Sequence, residues 1–151
     1  MFQDNKNVII FICHIKIEPE NKGGVFVKIS YHNLTKECKM ALLAYCYMSF
    51  ETLKEVEEFY KNHYFVFEII SIEEAKKRCM QFPFDAGDFS TFEAYHQWYI
   101  EGEDVPDHGN SVYPVIQGGD NEWLDDGWHR FHSYVKKGFQ RIPVLTIYIE
   151  V

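Results

Sequence analysis

The chain has 151 residues, 46% of them apolar and 25% charged, which fits one domain, or one domain with a small lobe, whose core needs no disulfide or metal staple. That balance excludes a disordered, collagen-like or coiled-coil chain. The net charge of −8 is carried entirely by the C-terminal half: residues 1–80 hold 11 acids and 11 bases, residues 81–151 hold 12 acids and 4 bases.

The asymmetry sharpens between Gln81 and Asp126, where eleven acids occur without a single Lys or Arg, just before the basic cluster Arg130, Lys136, Lys137 and Arg141. An acidic wall of this kind repels a phosphate backbone and excludes direct DNA binding by that face. It suits a basic protein partner or nucleic-acid mimicry, or is simply a solvated surface. Thirteen Phe, ten Tyr and three Trp predict a thick aromatic core, with ring-lined pockets or a partner surface as the alternatives.

The longest apolar run, Met40 to Met48, is about half the length of a membrane crossing. Near the start, His14 and Lys16 interrupt the apolar stretch from Val8 to Cys13 and no small-residue cleavage site follows, so a cytoplasmic chain without a membrane segment is expected. Cys13, Cys38, Cys46 and Cys79 form no CxxC pair and read as buried free thiols. The seven histidines include no HExxH and no zinc-spaced Cys/His quartet.

In chain order, Val8–Ile17 and Val25–Tyr31 are β-branched and aromatic runs joined by Asn21-Lys22-Gly23-Gly24, which predicts a hairpin. Met40–Met48 is a third strand or a buried helix. Ser49 is a candidate N-cap for a helix to about Asn62, with Leu53, Val56, Phe59 and Tyr60 at helical spacing. Tyr64–Ile70 predicts a strand, and Ser71-Ile72-Glu73-Glu74 a capping box opening a helix to about Met80. Pro83 and Gly87 make Phe82–Asp88 the joint between two parts of the chain.

Beyond the joint, Ser90-Thr91-Phe92-Glu93 predicts a second capping box, opening a helix whose Phe92, Tyr95, His96 and Tyr99 share a face and which Gly102 ends. The loop from Glu103 to Gly109 is polar and stiffened at Pro106. Val112–Ile116 then predicts a strand, Gln117–Asn121 a turn and Glu122–Leu124 a returning strand. A helix follows to Lys137, with Phe131, Tyr134 and Val135 as its apolar face and Gly138 at C′. The chain ends in a strand, Ile142–Val151, entered through Pro143.

A glycine between strand and helix lets a ligand approach the backbone, and the amides of a helix N-terminus attract phosphate. Gly127 holds that place, with His129 and Arg130 in the first turn. Bases there oppose the helix dipole by about 0.3–1 kcal/mol each when charged, so a compensating group is expected. That group is an anion, onto which Arg130 forks and His129 donates, or a carboxylate of Asp125 or Asp126. Trp128 stacks on a base or covers the helix start. His132, three residues after His129, offers a second imidazole on the same helix.

Pro114-Val115-Ile116, the run Leu124-Asp125-Asp126-Gly127-Trp128-His129-Arg130, Gly138 and Ile142-Pro143-Val144 together resemble the ParB/sulfiredoxin-like fold, whose members carry an Asp-Gly-x-His-Arg type of motif at a helix start. The resemblance spans about 40 residues. It implies a ParB/sulfiredoxin-like phosphate-binding unit over 82–151, beside which the strand and helix patterns of residues 1–81 read as an N-terminal α+β lobe of unknown role, so that an α+β protein is expected. It further implies Gly127, His129 and Arg130 as phosphate contacts and Asp126 as the residue orienting the turn. The nucleotide of the resembling proteins is ATP or CTP with Mg²⁺. Sulfiredoxins place a cysteine where this chain has Trp128, so their chemistry is excluded. Partition proteins add a helix-turn-helix domain that this sequence does not contain.

For phosphoryl transfer or hydrolysis, Mg²⁺ needs one or two carboxylates beside nucleotide phosphates, and Asp125, Asp126, Asp107 and Glu103 are the candidates. His108 or His129 would serve as acid or base, with Asp126 and Arg130 completing a catalytic set. The expectation is therefore a nucleotide- or phosphate-ligand-binding protein. The competing expectations are a non-catalytic acidic interaction protein using the 82–126 face, as a nucleic-acid mimic or a phage or mobile-element accessory, and a structural accessory whose motif is held by internal salt bridges.

Overall fold

The computed structural model describes residues 27–46, 49–81, 91–101, 113–119, 123–125 and 128–149. The predicted strand Val8–Ile17, the joint Phe82–Asp88, the loop Glu103–Gly109, Asp126 and Gly127 lie outside them, as do the side chains of Phe92, Trp128 and His129. The elements in order are β1 (Ile29–Ser30), a 3-10 turn (Tyr31–Asn33), α1 (Lys36–Tyr45), α2 (Leu53–Tyr60), β2 (His63–Ser71), α3 (Ile72–Gln81), α4 (Phe92–Glu101), β3 (Val115–Gly118), α5 (Trp128–Lys136) and β4 (Arg141–Ile149). These helices and a mixed four-stranded sheet make an α+β protein.

The strand order is β1-β2-β4-β3, with β1/β2 and β2/β4 antiparallel and β3/β4 parallel. β2 and β4 pair over nine residues, from His63↔Ile149 to Ser71↔Arg141. The predicted parts 1–81 and 82–151 thus share one sheet: their boundary divides the chain and not the layer.

Period-two alternation sends the strand side chains to opposite faces. Phe65, Leu145 and Ile116 point to one face, where Cys38, Ala41 and Leu42 of α1, Val56 and Tyr60 of α2 and Tyr31 and Leu34 bury against them. Ile70, Ile142, Val144 and Val115 point to the other, under Ala75 and Cys79 of α3 and Phe131 and Tyr134 of α5. Two separate cores therefore sit back to back on one sheet. Each fully buried Leu, Ile or Phe contributes about 1.5–3 kcal/mol.

Local chemistry sets the helix ends, with corrections to the sequence reading. α2 starts at Thr52 and not at Ser49: Glu55 N–H donates to Thr52 Oγ1 at 3.3 Å while Thr52 N–H donates to Glu55 Oε2 at 2.9 Å, a complete capping box. The apolar run near Met40 is helix, because Thr35 Oγ1 accepts from Cys38 N–H at 3.2 Å and starts α1 ahead of it. Ser71 does cap α3, accepting from Glu74 N–H at 3.1 Å, but the Glu74 carboxylate takes Arg78 Nε–H at 3.0 Å, so Arg78 and not the Ser71 amide is its partner. α4 is capped by Thr91, whose Oγ1 accepts from Ala94 N–H at 3.2 Å.

α5 ends as expected, with Gly138 at φ 79°. Its amide donates to Val135 O and the Phe139 amide to Tyr134 O, both at 3.0 Å, and the Tyr134 and Phe139 rings meet edge to face at 5.3 Å. This is a Schellman cap with its apolar clasp. Of the predicted strand Val25–Tyr31 the described residues form strand at Ile29–Ser30; it ends where the chain turns at Tyr31, which is 3% exposed with its ring 6.4 Å from Phe65.

Pro143 sits inside β4 opposite Ile69. Gly119 N–H donates to Ile147 O at 2.7 Å, so the odd-numbered backbone groups of β4 face β3. The N–H that proline lacks therefore points to the β3 side, one residue before β3 begins at Val115↔Val144, and no bond to β2 is lost.

Candidate functional site

β3, α5 and β4 form a crossover unit: parallel neighbours joined through a helix. The chain leaving β3 comes back along its outer edge, where Asp125 N–H donates to Ile116 O at 2.9 Å and Gly118 N–H donates to Asp125 Oδ2. Trp123 Nε1–H donates to Asp125 Oδ1 at 3.0 Å. Asp125 therefore caps an edge strand, satisfying one amide, of Gly118, and one carbonyl, of Ile116, that would otherwise be open to a foreign strand. Three residues further on α5 begins, so its first residue lies within about 11 Å of Asp125.

Gly119 is required at the end of β3. A Cβ there would lie 2.4 Å from Tyr148 Cδ1 and 2.7 Å from Ile147 O, and the carbonyl, part of the sheet, cannot move aside. Gly119→Ala is expected to cost about 1–3 kcal/mol, typical of overpacking; urea unfolding with an unchanged midpoint would show that the strand end yields freely.

The first turn of α5 contains no acidic residue. Trp128 and His129 occupy it as helical backbone, and Arg130 follows at 8% exposure, with its Nη1 donating to Pro114 O at the entrance to β3. This backbone carbonyl is one partner of Arg130; Asp126, one of the two aspartates expected to pair with it, lies outside the described residues. Asp125, one of the two aspartates, receives Trp123 and Gly118. One turn on, Tyr134 OH donates to Tyr113 O at 3.2 Å, so α5 is tied twice to the two residues preceding β3. Burial raises the Tyr134 phenol well above its ordinary value, against the opposing charge of Arg130.

His132, weighed as a second imidazole beside His129, is fully buried and faces α4. Its ring centroid lies 4.7 Å from Tyr99, 4.9 Å from His96 and 5.1 Å from Tyr95. Burial, and then the charge of Lys76, lower the His96 imidazole. The predicted α4 face of Tyr95, His96 and Tyr99 thus serves as the seat of α5. Cys38 and Cys79 are buried free thiols, pushed up by burial to about 11 and about 12.

One polar cluster was missed. Arg78 Nη1 donates to Glu68 Oε1 at 2.7 Å and Gln117 Oε1 at 2.9 Å while its Nε bonds Glu74. It arches over β4 to join α3, β2 and β3. The Glu74/Arg78 spacing of four was visible in the sequence; the reach to Gln117 needed the strand order. Among the described residues no three His, Cys, Asp or Glu side chains gather to hold a metal ion, and no helix is long and apolar enough to cross a membrane. Asp126, Gly127, Glu103, Asp107 and His108 lie outside the described residues. Comparison of the chain with known protein families, curated proteins and solved structures returns no match.

Proposed function

We propose that the chain binds a phosphate-bearing ligand, a nucleotide in the first instance, at the first turn of α5. The observation supporting this is the acid-free N-terminal turn of α5, since the backbone amides of a helix N-terminus attract phosphate. Gly127 admits the ligand to the backbone, His129 donates to a phosphate oxygen and Trp128 borders the base. Arg130, with Nη1 on Pro114 O, contributes positive charge beside the turn.

The test is calorimetric titration and thermal unfolding with ATP, CTP, GTP and inorganic phosphate, with and without Mg²⁺, on the wild type and His129→Ala. A nucleotide at a hundred times its dissociation constant adds about 2.7 kcal/mol, and His129→Ala is expected to weaken binding while the free protein unfolds as before. Absence of heat and of any shift across the panel, with a folded protein, overturns the reading. A nucleotide that binds then enters turnover assays for phosphate release.

A further inference from the structure

At the far end of the sheet, His63 opens β2 opposite Ile149, the last residue of β4. Its ring lies 5.6 Å from Phe59 at an interplanar angle of 25° and 5.0 Å from Tyr60, edge to face. Phe59 in turn packs on Phe50 at 5.2 Å. His63 Nδ1 is buried and makes no hydrogen bond. The Phe59 and Ile149 side chains are more than half exposed, so the imidazole is the inner layer of an apolar patch that reaches solvent.

Among the described residues, the groups set against it are apolar or uncharged. From α2 come Phe59 and Tyr60, whose hydroxyl is 3.3 Å from Cys46 Sγ just beyond α1; from β4 comes Ile149. The charged pair at the end of α2, Lys61 with Glu58, is formed between exposed side chains and closes on itself. A proton on Nδ1 would thus create a buried N–H without an acceptor, which costs more than the neutral ring's lone pair.

We infer that His63 makes the seating of α2 on the sheet sensitive to mild acid: the neutral imidazole fills the space between Phe59, Tyr60 and Ile149, and its protonated form releases the C-terminal turn of α2 and bares the Phe50, Phe59 and Tyr60 rings. Burial lowers the imidazole from its ordinary 6.5. The unfolded chain therefore takes up the proton first, and the stabilisation is present in full above 6.5 and lost as pH falls through the lowered value. The inference is independent of the phosphate reading, since His63 is not part of the first turn of α5.

The experiment follows hydrogen-exchange protection factors and the His63 ring signals by NMR between pH 8 and pH 5, on the wild type, His63→Phe and His63→Gln. Expected are a His63 titration below that of a free imidazole and a loss of protection across α2 on acidification that α3 and α5 do not share. Either variant, both being unable to titrate, is expected to remove the pH dependence in α2. A His63 that titrates at or above the free value, or an α2 whose protection falls equally in a folded variant, overturns the inference; the wild-type titration decides even if neither variant folds.

Discussion

Phe65→Ala and Phe131→Ala are each expected to lower the unfolding free energy by about 3–5 kcal/mol, and in each case the whole chain is expected to melt in a single, earlier transition. The two rings are both fully buried and lie in different cores, Phe65 under α1 and α2, Phe131 under α3 and α5. They come from the two parts of the chain that composition sets apart. What joins them is the β2/β4 ladder, nine residue pairs long: loosening either face frees a strand that the other face also needs. Against a typical total stability of about 5–15 kcal/mol, either loss is a large fraction. Calorimetry reads the outcome. Two separated transitions, with Phe65→Ala moving only one of them, would show that the parts fold independently and that the shared sheet is not the cooperative unit.

How far the sequence could be read depends on whether the decisive physics was local. The ends of α3 and α5 were visible at Ser71 and at Gly138, because a hydroxyl accepting from the third amide along and a glycine at positive φ are properties of four or five consecutive residues. The start of α2 was misplaced for a reason that is itself local: Ser49 is the first hydroxyl after the apolar run, but only Thr52 has a glutamate three residues on to return the bond. The end of β1 was not legible, since Tyr31 leaves the strand to meet Phe65, a residue 34 positions away. Arg78 shows the same divide, its bond to Glu74 belonging to the helix and its bond to Gln117 to the topology. For the candidate site, the order strand, helix, strand was readable, while the returning strand expected over Glu122–Leu124 is irregular chain at Trp123 and Leu124. The inward turn of Arg130 was not readable, because it depends on the return of residues 123–125 along β3, which brings the start of α5 back to Pro114.

Arg130→Ala is expected to destabilise the ligand-free protein by about 2–3 kcal/mol, a fall in Tm of roughly 5–10 °C for a chain of this size. Arg130 is 8% exposed and donates to Pro114 O. Removing it takes away a charge-assisted donor, leaves that carbonyl to be satisfied by solvent, and empties the space that its aliphatic stem fills. Arg130→Lys keeps the charge but replaces the planar fork by a single ammonium, and is expected to recover only part of the loss. A side chain whose sole task was to grip a ligand's phosphate would behave differently: its removal would leave ligand-free unfolding unchanged, or raise stability by relieving a base at a helix N-terminus. Thermal unfolding of the two variants in phosphate-free buffer separates these cases. The consequence for the phosphate reading is specific. Weaker nucleotide binding in Arg130→Ala would mix a lost charge with a loosened β3–α5 connection, whereas His129→Ala leaves the Arg130 bond to Pro114 O in place and reads the ligand apart from it. If His129→Ala binds as the wild type does while Arg130→Ala is merely less stable, the Asp-Gly-x-His-Arg segment is a fastening between α5 and β3, and its likeness to a phosphate clamp is one of sequence only.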